Sequence, residues 1–191
     1  LYHPARARIE EAGGSVQLGT SVRGIAYDGR RVTGLVTDEA LERGAAVVAA
    51  LPPERLDAVV SKPLRKADVR LRGLDAFESS PILGVHLVYE HPIMETPHLV
   101  TVDRDVHWIF SRGTDELGGQ HLHVVISAAD DWMTLDEGAI VERITAELEE
   151  LLPKSRGLAP VEVRSVKEKR ATFAATPEVE RVRPPVAPRF A

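Results

Sequence analysis

Histidines are the side chains of this sequence most suited to chemistry at neutral pH. His121 and His123 are two positions apart, so in a strand both imidazoles point to one face, where they could bind a transition metal. No third ligand is evident beside them, and alternate histidines on a solvated face are the plainer interpretation. His86 and His107 could transfer protons, because imidazole titrates near neutral pH. Histidines whose hydrogen bonds are satisfied within a sheet are the simpler alternative.

Other reactive residue types indicate no site. Asp130 and Asp131 are adjacent, and adjacent strand residues point to opposite faces, so a turn between a strand and a helix explains them better than a carboxylate pair. Ser127 lacks the GxSxG context of a serine nucleophile. The chain has no cysteine, which excludes disulfides, thiolate metal sites and cysteine nucleophiles.

Composition narrows the class of protein. At 191 residues, 43% of them hydrophobic and 28% charged, the chain can bury a core in one domain or two small ones. Its net charge of −5 argues against nucleic-acid binding, whose footprint is basic. No apolar run approaches the roughly 18 residues of a transmembrane helix. The sequence begins at Leu1 rather than at methionine, so we expect an internal piece of a longer protein.

The first third of the chain predicts a hairpin, a buried strand and two helices. A helix before Gly13-Gly14 is followed by alternating runs at Val22–Tyr27 and Arg31–Thr37, which Asp28-Gly29 joins as a hairpin. A shorter apolar run lies just ahead of them, over residues 16–18. The small apolar run Ala45–Leu51 is typical of a strand buried on both faces. A proline pair ends it and begins a helix over residues 54–60.

The remainder predicts an antiparallel sheet and one long helix. A linker over residues 61–80, with one short helical or extended piece, precedes the strands. These are expected at Pro81–Glu90, Leu99–Val102, Val106–Ser111, His121–Ala128 and Val161–Phe173. A helix that Thr134 could cap, with Glu137 at the capping-box position, runs to Pro153. An extended, proline-rich tail follows Pro177.

These elements predict an α+β fold. We expect a mostly antiparallel mixed sheet with one long helix, together with a β-hairpin and one further strand. The predicted boundary between the two parts of the chain lies between residues 1–64 and residues 65–191.

Several motifs, in order, resemble a known family. The segment AGGSVQLGTSVRGI, with Gly34 and the strand-like AAVVAALPP after it, resembles the middle of the flavin-containing amine oxidase and phytoene desaturase superfamily. The second half, with PILGVHLVYEHPIM, Trp108-Ile109-Phe110, Ala171-Thr172-Phe173 and Arg183-Pro184, is similar to the squalene-associated FAD-dependent desaturases, the hydroxysqualene dehydroxylases.

The resemblance implies FAD in the full-length parent and hydride transfer to or from its N5 atom. It also implies that the β-hairpin and the strand after it are a remnant of a dinucleotide-binding domain, that residues 1–64 are a partial FAD-binding segment, and that residues 65–191 are a substrate-binding domain. It places the backbone of Val22 at the adenine end of the flavin and lets Ala50, Leu51 and Pro52 pass close to the cofactor. The glycine-rich GxGxxG loop and the Gly-Asp flavin motif of the family are absent from this sequence. We therefore expect this piece alone to be inactive and to bind flavin weakly or not at all.

The resemblance also implies a squalene-type or carotenoid-type isoprenoid substrate held against an apolar wall. The residues proposed for that wall are Val85, Leu87, Tyr89, Trp108, Phe110, Val124 and Ile126. The alternative is that these strand residues pack as a core against the helix near residues 136–152. Lys167 or Lys169 could instead project toward the flavin, as a lysine does in some amine oxidases.

Two other functions stay open: a flavin amine oxidase, which would need an aromatic or acidic cage that the sequence does not reveal, and a noncatalytic module that binds an apolar ligand or a protein. We expect a cytoplasmic protein. The sequence leaves open peripheral contact with the inner membrane and a homodimer formed through exposed apolar surface.

Overall fold

The computed structural model describes residues 2–114 and 118–184. Its helices are α1 (His3–Glu11), α2 (Pro53–Val59), α3 (Lys62–Ala67), α4 (Glu137–Leu151) and α5 (Pro177–Val182). Its strands are β1 (Val22–Tyr27), β2 (Val32–Thr37), β3 (Leu41–Arg43), β4 (Ser79–Tyr89), β5 (His98–Val100), β6 (Trp108–Thr114), β7 (Gln120–Ser127) and β8 (Glu162–Phe173).

The chain forms two compact units. One contains the residues up to Phe77 together with the segment from Pro177, and the other runs from Glu78 to Thr176. The predicted assignment of residues 1–64 to flavin binding and of residues 65–191 to substrate binding stays a prediction. None of the helices among the described residues is long and apolar enough to cross a bilayer.

The predicted hairpin of the first unit is confirmed. Strands β1 and β2 pair antiparallel, and the Asp28 carboxylate accepts hydrogen bonds from the backbone N–H groups of Arg30 and Arg31 at 2.8 and 2.9 Å. Strand β3, which the sequence analysis did not predict, extends the sheet along β2. A Cβ atom at Gly34 would collide with the Glu42 carbonyl, so only glycine allows this close approach.

The strand predicted at Ala45–Leu51 is wrong. This run belongs to no strand, and Val48 and Leu51 are 91% and 45% exposed. A strand buried on both faces needs neighbouring strands to satisfy its backbone groups, and none of the strands described here pairs with it. The short run over residues 16–18 is likewise irregular, with Leu18 77% exposed.

Two other segments of the first unit contain helices: the linker, for which the sequence predicted one short helical or extended piece, and the tail, which was predicted to be extended. The linker contains α3, whose first turn is capped by the Ser61 hydroxyl oxygen accepting from Leu64 N at 3.4 Å. The tail after Thr176 begins with α5 rather than with extended backbone. Gly73, at φ 75°, lies against Val182 of α5, which leaves no room for a larger residue.

The second unit is a five-stranded antiparallel sheet in the order β5-β6-β7-β4-β8. All five of its strands were predicted, with ends that differ by one to two residues at most positions. Helix α4 packs its apolar residues Ile140, Ile144 and Leu148 into a core with one face of the sheet. Asp136, rather than Thr134, caps α4: its carboxylate accepts from Ala139 N at 2.8 Å.

Strand β8 lies at the edge of this sheet. Glu137, in the first turn of α4, reaches that edge and accepts hydrogen bonds from the backbone N–H and the hydroxyl of Ser165, at 2.9 and 2.7 Å. Both bonds lower the pKa of the Glu137 carboxyl below its ordinary value, and the bond from the Ser165 hydroxyl has the larger effect.

Candidate ligand-binding face of the five-stranded sheet

Alternation along the strands divides the predicted wall residues between the two faces of the sheet. Five of the seven are at most 2% exposed and lie in the core shared with α4: Val85, Leu87, Tyr89, Val124 and Ile126. For these five the core alternative holds, and their prediction as wall residues is corrected, because their side chains face the helix side of the sheet. Burial raises the pKa of the Tyr89 phenol to about 12, so that hydroxyl stays protonated.

Trp108 and Phe110 lie on the opposite side, which we call the open face. Their neighbour Ile109 is fully buried in the core, so the two aromatic rings alternate to the other face. The rings are parallel, with centroids 5.6 Å apart, and Trp108 remains 39% exposed. The two stacked rings form an apolar surface, which we call the aromatic platform, of the kind that aromatic residues offer to ligands.

One row of the open face crosses all five strands in register. Phe110 pairs with His98 on one side and His123 on the other, His123 pairs with His86, and His86 pairs with Arg164. Directly paired residues of antiparallel strands share a face, so this row places imidazoles beside the aromatic platform.

His86, His121 and His123 form what we call the histidine cluster. The His86 and His123 rings are stacked, 6° from parallel, with centroids 4.2 Å apart. The His86 Nδ1 and His121 Nε2 atoms are 2.9 Å apart and share a hydrogen bond. His123 also meets Phe110 at a tilted ring contact of 6.4 Å. The cluster is half-buried, which differs from the solvated face that the sequence predicted for His121 and His123.

Burial is the main cause that lowers the pKa of both His86 and His123 below the ordinary imidazole value. Repulsion from other members of the cluster and from Arg112 adds to the lowering, and Arg164 contributes at His86. Both rings are therefore neutral at pH 7, and a neutral imidazole carries one N–H donor and one acceptor nitrogen.

The neighbouring row of the open face is apolar. It runs through Val100, Trp108, Val125, Gly84 and Val166 by direct pairing across the five strands. At Gly84 the row has no side chain, and a Cβ atom there would stand 3.1 Å from the Nε2 atom of His123. The His123 imidazole therefore fills the space above Gly84 and places its Nε2 atom at this point of the apolar row.

Several other candidates from the sequence have structural roles. Asp130 and Asp131 begin a 3₁₀ turn between β7 and α4, as the turn interpretation predicted. The His107 Nδ1 atom accepts a hydrogen bond from Ser127 N at 3.1 Å. The Lys167 ammonium donates hydrogen bonds to the Met133 and Leu135 carbonyls, just after the 3₁₀ turn. This side chain is therefore hydrogen-bonded within the second unit.

Within residues 2–114 and 118–184, no three histidine or acidic side chains are placed so that they could hold a metal ion. His121 and His123 do lie on one face of the sheet, but among these residues a metal ion bound by them would lack a suitable third ligand.

The predicted flavin edge lies in the first unit and is open. Val22 is 37% exposed and Leu51 45%, and Ala50 and Pro52 are exposed as well. Helix α2 begins with Pro53, which has no backbone N–H to offer a phosphate, and no glycine-rich loop leads into it. The described residues thus form an exposed edge rather than an enclosing flavin site, and contact of these four residues with flavin stays a prediction.

The histidine cluster is the feature that sequence reasoning missed. The alternation of His121 and His123 was visible, but the position of His86 opposite His123 depends on the register between β4 and β7. Register is set by turns and packing far from the pair. The one available signal was that His86 also occupies a position alternate to the apolar residues of its strand.

Comparisons with known proteins match nearly the whole chain. A family model described as flavin containing amine oxidoreductase matches residues 3–190. Hydroxysqualene dehydroxylase from Rhodopseudomonas palustris is 31% identical over 186 residues, which cover 96% of this chain and 41% of that protein. The 15-cis-phytoene desaturase of Arabidopsis thaliana is 24% identical over 199 residues, covering 96% of this chain and 35% of that protein. The chain thus spans less than half the length of these curated relatives.

Solved structures share the fold. An oxidoreductase from Methanosarcina mazei matches with a TM-score of 0.61 at 18% identity, over 84% of this chain and 40% of its own. Wild-type putrescine oxidase bound to putrescine matches with a TM-score of 0.60 at 21% identity, over 82% of this chain and 36% of its own. At these identities the likeness shows the fold alone.

Proposed function

The chain belongs to the flavin-containing amine oxidoreductase family, and from this we propose that it supplies the substrate-facing sheet of an FAD-dependent oxidoreductase acting on a squalene-type or carotenoid-type isoprenoid. The names of the hydroxysqualene dehydroxylase and phytoene desaturase relatives support the isoprenoid class. The chemistry of the open face supports the proposed role of the sheet in binding the substrate.

The observation that carries the proposal is the pair of parallel rings at Trp108 and Phe110 beside an aliphatic row. A long hydrocarbon chain has no hydrogen-bonding groups, so it is held by the burial of apolar area against such a surface. In flavin enzymes the cofactor carries the redox chemistry, while protein groups position the substrate and exclude water. Because the described residues do not enclose a flavin, no redox step is assigned to them.

Tryptophan fluorescence tests the proposal directly. The chain has two tryptophans, of which Trp108 is on the open face and Trp132 is only 4% exposed. Titration of the 191-residue chain with squalene, delivered from cyclodextrin, should change the emission saturably. The Trp108→Phe variant should lose that change, and Phe110→Ala should weaken binding about tenfold, as expected when the apolar contact of one aromatic side chain is removed.

Putrescine provides the comparison ligand, since an amine substrate would be favoured over a hydrocarbon by an amine oxidase. The proposal fails if squalene gives no saturable change, if Trp108→Phe retains the change, or if putrescine gives the same response at a lower concentration.

A further inference from the structure

The histidine cluster is a polar feature beside the apolar row of the open face. The apolar row at Trp108, Val125 and Val166 runs alongside it, and Phe110 contacts it directly. A pure hydrocarbon lying on this face would cover imidazole nitrogens without hydrogen-bonding to them, which is unfavourable. The arrangement therefore suits a ligand that brings a polar atom to this point of an apolar chain.

His123 is the member of the cluster whose ring nitrogens both lack a hydrogen bond to another described residue. In the part of the chain that the structure describes, its ring contacts are the stacking with His86 and the tilted contact with Phe110, and no protein group hydrogen-bonds to it. Neither ring nitrogen of His123 is among the buried side-chain atoms of the described residues that lack a hydrogen-bond partner, so these nitrogens remain accessible to solvent.

Its surroundings hold the His123 ring in place beside the apolar row. His86 stacks on one side and is itself fixed by the hydrogen bond to His121. The Nε2 atom of His123 lies close to Gly84, where a Cβ atom would stand only 3.1 Å from it, so the ring occupies the space above this glycine. A ligand chain lying along the apolar row would therefore pass beside the His123 ring.

We propose that His123 is a specificity-determining residue that hydrogen-bonds an alcohol oxygen on a long apolar ligand, with His86 and His121 as its positioning residues. This inference rests on the proposed function of the open face. Within the isoprenoid class, His123 would favour the binding of alcohols over that of hydrocarbons. A hydroxyl can donate to an acceptor nitrogen or accept from an N–H group, so it suits either tautomer of a neutral imidazole. Burial, which favours the neutral ring, preserves that choice at pH 7.

Two matched C15 probes test the inference: farnesol, an isoprenoid alcohol, and farnesene, its hydrocarbon counterpart. Binding of each to the 191-residue chain is followed through Trp108 emission. We expect farnesol to bind about tenfold more tightly than farnesene, the net effect of one additional hydrogen bond. His123→Phe should reduce this preference to within about twofold while farnesene binding is retained.

Two variants separate specificity from general damage to the fold. His123→Gln, which keeps a donor and an acceptor, should retain part of the preference. His98→Phe, in the same row but outside the cluster, should retain all of it. Thermal unfolding of each variant identifies any that no longer fold. In that case His121→Phe gives a second test, because His121 positions His86 and does not itself contact the ligand in this proposal. This variant should also show a smaller preference for farnesol over farnesene.

The outcomes are distinguishable. Equal affinity of the wild-type chain for both probes, or a full preference in His123→Phe, overturns this inference and leaves the proposed function standing. If neither probe changes Trp108 emission, both proposals fail. If farnesyl diphosphate binds more tightly than farnesol and does so through His123, the cluster is an anion site and the alcohol assignment is wrong.

Discussion

His86 and His123 combine burial with close stacking, and both conditions favour uncharged rings. Their centroids are 4.2 Å apart, so protonating both would place two positive charges within one stacked pair. Arg112 and Arg164 add positive charge nearby. Protonation of the cluster in mild acid should therefore destabilise the second unit.

The free energy of unfolding should therefore fall between pH 7.5 and pH 5.5. In the unfolded chain these histidines titrate near their ordinary pKa of about 6.5, whereas in the folded chain the pKa of each is lower. Below that ordinary value the unfolded chain binds more protons, so acid favours unfolding. Urea unfolding at the two pH values measures the effect.

The control for this prediction is the double variant His86→Phe with His123→Phe, which should lose less stability on acidification than the wild type. His98→Phe should lose as much as the wild type. An identical loss in the double variant would assign the acid sensitivity to other groups.

At the scale of elements, helix α4 and its cap illustrate how the second unit is assembled. The helix presents Ile140, Ile144 and Leu148 to the sheet, and its first turn is fixed by the side chain of Asp136. A cap accepts a hydrogen bond from an N–H group that has no partner within the helix, so its removal weakens the helix where it begins.

Asp136→Ala should lower the free energy of unfolding by about 1 kcal/mol, the usual effect of removing such a cap. Thr134→Ala is the matched control, because Thr134 is the residue that the sequence favoured as the cap and the structure does not use. Denaturant unfolding monitored by circular dichroism measures both. A larger loss in Thr134→Ala than in Asp136→Ala would contradict the capping described here.

Elements with a strong local pattern were predictable from the sequence. The five strands of the second unit alternate or are rich in β-branched residues, and α4 shows helical spacing, so local preference and tertiary packing agree. Ala45–Leu51 was mispredicted because an apolar run becomes a strand only when neighbours complete its hydrogen bonds. The open face could not be predicted, since a sequence shows which residues alternate but not which face a helix covers.

At the scale of the whole molecule, the two units contribute differently to the proposed enzyme. In the proposed function the second unit would present the ligand face, whereas the first carries Val22 and Ala50–Pro52 on an exposed edge. Peripheral membrane contact and a homodimer stay predictions. So does the expectation that the chain alone is inactive.

The chain by itself should bind FAD weakly. The exposed edge offers backbone contacts but no glycine-rich loop at the start of α2, so the pyrophosphate would stay largely hydrated. Titration of the 191-residue chain with FAD, followed by the flavin visible spectrum, should show no saturation at micromolar concentrations. Stoichiometric binding with a shifted spectrum would contradict this prediction, and free riboflavin serves as the control for nonspecific association.

The contact between Glu137 and Ser165 has a consequence for solubility. An unprotected sheet edge is a template on which a second molecule can add a strand. The Glu137 carboxylate occupies a backbone N–H group of the outermost strand and places a negative charge there. Once acid has protonated that carboxylate, both the charge and the acceptor strength are diminished, and this edge becomes the place where intermolecular β-pairing and aggregation would begin.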